Sequence, residues 1–198
     1  MKPPSPAPSP TFDPRHAWRH TLGAARADGA LALVLLASAV LFAFRGVLGN
    51  GLVMWDDNLY REQIPQLQEW SGGNLLWMLT DRSWFYWHPL AYAWHAAENA
   101  LFGADHRGPQ AAAIALHALN AGWVLVLGCA FLGPRRGDPA PPSAGAVLGA
   151  SLAAAALWAL HPLRVESVAW MAEKKDLLCA FLSFAATAAW LLRATLPA

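Results

Sequence analysis

The chain has 198 residues, 56% of them hydrophobic and only 14% charged, where soluble domains average roughly 25% charged. A formal net charge of +1 without a polybasic run argues against a nucleic-acid partner held through phosphates. Eleven tryptophans and a mean hydropathy of +0.29 describe alternating apolar and polar segments. The expected class is therefore an all-α integral membrane protein with four transmembrane helices and interfacial amphipathic helices in a long first outer loop.

Residues 1–29, Pro-rich through Pro14, read as a disordered cytoplasmic leader. The first span is expected over 30–48, with the Arg45 guanidinium snorkelling to the interface. Ala37-Ser38-Ala39 shares the small-x-small pattern of a signal-peptidase site. However, the apolar run before it is short for a signal peptide and continues beyond it, so a span is preferred.

A long outer loop, 49–110, follows and opens with Gly51-Leu52-Val53-Met54-Trp55-Asp56-Asp57-Asn58. Adjacent carboxylates repel each other, which raises one pKa and suits a general base. The competing reading is a helix cap at Asp56 or Asp57. Trp55, Trp70, Trp77, Trp84, Trp87 and Trp94 make the loop a candidate interfacial platform, with plain packing as the alternative. Gly72-Gly73 and the stretch 84–89 interrupt any single helix, so two short helices lying on the membrane are expected. In the second, starting at Pro89, Leu90, Trp94, Ala97 and Leu101 line one face, with His95 and Glu98 off it.

The second span is placed at 111–132, followed by a cytoplasmic loop at 133–143, a third span at 144–160 and an outer loop at 161–176. The fourth span, 177–192, leaves a cytoplasmic tail at 193–198. Small residues dominate the last two spans and suit close helix packing in lipid. His117 and Asn120, within span two, read as interhelical hydrogen-bonding groups rather than an ion pathway. Cys129 and Cys179 fall inside spans, indicating neither a disulfide framework nor a thiolate metal site.

Lys2, Arg15, Arg19 and Arg26 before span one, Arg135 and Arg136 between spans two and three, and Arg193 after span four place both termini in the cytoplasm. Arg164, Lys174 and Lys175 violate that rule in the short outer loop, which calls for an anionic partner there: Glu166, Glu173, Asp176 or a phosphate. Lys174 and Lys175, as hydrated point charges, suit phosphate, and a salt-bridged loop is the competing reading. His161, left at the surface by Pro162, and Glu166 are candidate ligands for a divalent cation. Helix over 163–173 would put Glu166, Trp170 and Glu173 on one face.

The run HPLRVESVAWMAEKKDLL at 161–178 closely resembles a signature of bacterial multi-span membrane proteins that carry tetratricopeptide repeats. These are similar to the transmembrane O-mannosyltransferases and to the C-type membrane glycosyltransferase fold. GLVMWDDNLY, YWHPLAYAWHAAENALFG and ALHALNAGWVLVL fall in the same order, so the resemblance covers about 30–192. It implies an enzyme of the bacterial inner membrane that moves a sugar from a polyprenyl-phosphate carrier to an acceptor protein or glycan on the outer face. The base would then be Asp56 or Asp57, and His88, Arg164, Lys174 and Lys175 would bind substrate and carrier phosphate. His161 and Glu166 would be donors or metal ligands. Relatives have more spans and a repeat domain, and no 34-residue helical repeat is found here, so the chain reads as the N-terminal portion of such an enzyme. The alternative is a non-catalytic membrane scaffold that binds a partner or lipid.

Overall fold

A computed structural model of the chain describes residues 11–13, 27–82 and 87–193. Trp84 and most of the leader lie outside them. Seven α-helices make up the bulk of these residues: α1 (Ala27–Phe44), α2 (Gly72–Thr80), α3 (Pro89–Phe102), α4 (Arg107–Leu132), α5 (Ala144–Ala159), α6 (Arg164–Ala169) and α7 (Lys174–Arg193). Among the described residues the one β-type pairing is an isolated bridge between Thr11 and Arg136.

Three segments are long and apolar enough to cross a membrane, as an integral membrane protein requires: Ala27–Gly49, Arg107–Leu132 and Met171–Arg193. α5 coincides with the expected third span, but its 16 residues rise only about 24 Å, short of a hydrocarbon core of roughly 30 Å. α4 starts four residues before the expected span. α1 buries Ala32, Leu36, Val40 and Phe44, one residue per turn, and leaves Leu31, Val34, Leu35 and Phe42 exposed. A helix apolar on every side, with one stripe against protein, has its other faces suited to lipid. At its end Arg45 bends back, donating to the Phe42 carbonyl at 2.7 Å with its guanidinium over the Phe42 ring.

α4 is the hub, packing against α1, α5 and α7. The α4–α5 contact is close because Gly128 faces Ser151; a Cβ on Gly128 would lie 3.0 Å from the Ser151 Cβ. Polar groups inside α4 bond across helices, as their chemistry in an apolar helix predicts. His117 Nε2 lies 2.9 Å from the Ala159 carbonyl oxygen of α5, and Asn120 Nδ2 donates to the Leu177 carbonyl of α7 at 2.9 Å.

The connection between α1 and α4 packs around a small apolar cluster. Ile64, Leu67, Met78, Tyr92 and Ala96 are buried together with Ala172, which comes from the far end of the chain. Ser71 Oγ caps α2 by accepting from Asn74 N, and α3 begins at Pro89, as expected. In α3 the apolar stripe is turned away from the rest of the protein at both ends. His95 and Glu98 are buried, whereas Leu90 and Leu101 are 48% and 75% exposed. Periodicity finds a stripe without saying which side of it meets protein, and here the protein interior takes the polar side. α6 ends at Ala169, and Trp170 is extended (φ −89°, ψ 116°), so Glu166, Trp170 and Glu173 do not share one helical face.

Candidate functional site

Three segments distant in sequence meet beside the start of α7: the acidic turn at 53–58, α3, and the junction at 170–175. The acidic turn is held by Asp57. Its Oδ2 accepts from Val53 N at 2.9 Å, closing the turn, and its Oδ1 accepts from Ala172 N at 2.8 Å. Asp57 is 1% exposed, so both oxygens are committed to backbone amides and the side chain acts as a staple between the turn and the junction. Asp56 is half-buried, and among the described residues its carboxylate takes part in no hydrogen bond or ion pair. Its carbonyl starts the following helical turns by accepting from Leu59 N.

The second layer is a buried charged cluster. Lys174 is fully buried, and its Nζ lies 2.7 Å from both Glu98 carboxylate oxygens. Trp94 Nε1 donates to Glu98 Oε1 at 2.8 Å, and His95 Nδ1 lies 3.4 Å from Oε2, at the long end of contact. The His95 ring stacks on Tyr60 with centroids 4.5 Å apart. Burial pulls His95 below the ordinary histidine range, a direction that the Lys174 and Arg61 charges reinforce and Glu98 opposes. For Glu98, burial favours the neutral acid. His95 and the Lys174 charge outweigh that effect and hold the carboxyl below its usual range.

His88 closes one end of this region, capping α3 by accepting at its carbonyl from Tyr92 N (3.1 Å) and meeting the Tyr92 ring edge-on at 5.5 Å. Burial and the charge of Lys175 lower its pKa, with Glu173 acting the other way. The two residues, from separate sequence motifs, are thus within electrostatic reach. Lys175 is about one-third exposed and pairs with Glu173 Oε1 at 2.5 Å.

The remaining residues singled out in the sequence lie further along the junction. The Arg164 guanidinium rests 4.8 Å over the Trp158 ring. His161 and Glu166 are both exposed, and His161 Nδ1 accepts from Leu163 N at 3.2 Å. Among the described residues no three His, Cys, Asp or Glu side chains converge as a metal site would require. The arrangement therefore brings Asp57 to the junction, sets His88 near Lys175, and commits Lys174 to Glu98 instead of leaving it open to a phosphate.

No protein-family model matches the chain, and neither a curated protein nor a solved structure matches it significantly.

Sequence reasoning set His95 and Glu98 off the apolar face of a helix without giving them a role, and missed Arg61. Glu98 stands one turn from Trp94 and three residues from His95 in an otherwise apolar stretch, PLAYAWHAAENALF. A carboxylate there with no local cation was the available signal that a distant one is required.

Proposed function

We propose that the chain is a membrane module of a glycosyltransferase that takes a sugar from a polyprenyl-phosphate carrier and acts on the outer face of a bacterial inner membrane. In this reading both termini are cytoplasmic, α5 completes a set of four spans, and α2 and α3 lie at the interface. The observation that carries it is the division of labour between neighbouring carboxylates. Asp57 is saturated and buried, while Asp56 beside it is half-buried and unengaged.

Asp56 is then the base. The acceptor hydroxyl oxygen attacks the anomeric carbon, its proton passes to the Asp56 carboxylate, and the bond from that carbon to the carrier phosphate oxygen breaks. Lys175 and Arg164, each partly exposed, offer positive charge to the departing phosphate. Lys174 holds Glu98 and serves the architecture. His88 orients the donor beside Lys175.

The test is sugar transfer from a mannosyl polyprenyl-phosphate donor by membranes containing the protein. Asp56→Asn is expected to lower the rate by roughly 100-fold or more, the range of a general base. Full activity in Asp56→Asn, with the protein folded, overturns the assignment.

A further inference from the structure

The acidic turn at 53–58 carries an apolar tip that the chemistry of Asp56 and Asp57 leaves unused. Val53, Met54 and Trp55 follow one another and are 46%, 78% and 78% exposed. Their backbone is held in place: Trp55 N donates to the Val53 carbonyl at 2.7 Å, and Val53 N donates to Asp57 Oδ2. The exposure therefore belongs to a fixed turn. Trp77 and Trp94, by contrast, pack against the protein.

Tethers to three spans fix the depth of this tip. Val53 follows the end of the first candidate span, Gly49, by four residues, a reach of at most about 14 Å. Gln110, in the first turn of α4, donates from Nε2 to the Asn50 carbonyl at 2.6 Å. Ala172 is the second residue of the last candidate span, Met171–Arg193, and its amide shares the Asp57 carboxylate with Val53 N. The tip thus stands level with the ends of all three spans, where a bilayer passes from acyl chains to headgroups. Tryptophan suits that layer, since its ring is apolar and its N–H stays wet.

We propose that Val53, Met54 and Trp55 insert into the bilayer interface and anchor the acidic turn to the lipid surface. Insertion of this kind reaches about 5–10 Å into the boundary between headgroups and acyl chains. The three side chains carry no charge, so their partner is that boundary in any phospholipid and not one particular headgroup. Insertion sets the neighbouring Asp56 at headgroup depth, where a lipid-linked donor presents its phosphate. That consequence rests on the transferase reading, whereas the insertion rests only on the spans.

The experiment attaches an environment-sensitive nitrobenzoxadiazole probe to Met54→Cys in a Cys179→Ser background, with the full chain in phosphatidylcholine liposomes. Ala140→Cys, exposed in the loop between α4 and α5, is the water-facing reference. At position 54 a blue-shifted emission is expected. Phosphatidylcholine spin-labelled high on its acyl chain should quench it severalfold more strongly than at position 140, and iodide should quench it less. Trp55→Gln, at an exposed position, should keep its melting temperature and shift both readings toward those of position 140. Iodide quenching equal at the two positions overturns the proposal. So does shielding from both quenchers, since protein then covers the tip, and so do unchanged readings in Trp55→Gln, since the ring then anchors nothing. No reading requires a sugar donor, so a chain inactive in sugar transfer leaves the outcome as decisive as before.

Discussion

The Ala172 amide donates to Asp57 Oδ1 at 2.8 Å across 115 positions of sequence. This bond, with the one from Val53 N, makes Asp57 a structural clamp beside an unengaged Asp56. Asp57→Ala leaves two amides without their acceptor and is expected to cost about 1–3 kcal/mol per unsatisfied group. Asp56→Asn is expected to stay within about 0.5 kcal/mol of wild type. Thermal melts in detergent separate the two; equal loss in both variants would contradict the clamp.

The Glu98–Lys174 pair is buried on both sides. Glu98→Gln or Lys174→Met alone strands a charge in the interior, at a cost of about 3–5 kcal/mol. The double variant Glu98→Gln/Lys174→Met removes both charges and is expected to recover much of that loss. A double-mutant cycle with purely additive losses would show that the two do not act as a pair.

Stability should fall with acidification. His95 has a folded pKa below its ordinary 6.5, so its contribution is complete above 6.5 and declines as the pH drops below it. Glu98 has a folded pKa below its ordinary 4.5, so its share is complete above 4.5 and is lost as the pH falls further, through the folded value. The melting temperature should therefore decline from near pH 6.5 downward. His95→Gln should reduce the decline between pH 6.5 and 5, leaving the share of His88, whose pKa is also lowered, and the steeper acid limb. An unaltered profile in His95→Gln would locate the pH sensitivity elsewhere.

Gly128→Ala places a methyl against Ser151, where the Cβ separation is 3.0 Å, and should destabilise by about 1–3 kcal/mol through overpacking. Pairing it with Ser151→Gly should relieve the strain, as read by melting temperature.

Membrane sidedness is open to a chemical reporter. Cys179 is exposed and Cys129 buried, so a Cys179→Ser background is used for labelling. A cysteine at Gly73, at the exposed start of α2, is expected to react with an impermeant maleimide in intact cells. Reaction only after permeabilisation would invert the proposed topology.

The apolar runs in the sequence announced α1, α4 and α7, and chemistry alone announced the interhelical bonds of His117 and Asn120. Local signals likewise found Pro89 as a helix start and the break before Pro162. Pairings made over long separations were illegible. Nothing near Glu98 names Lys174, 76 positions on, and nothing near Asp57 names the Ala172 amide. The direction of α3 was illegible for a different reason. In water an apolar stripe turns inward, but beside lipid either face can, and the decision rests with Lys174, which needs a buried carboxylate.

The outward stripe of α3 also limits how the molecule can be dissected. A fragment cut from residue 49 to residue 106 would carry Glu98 without its ammonium and Asp57 without one of its two amide donors, and would present Leu90 and Leu101 to water. Such a piece should aggregate instead of folding as a soluble domain. Antibodies, binders or crystals directed at this region will need the whole chain in a membrane mimetic.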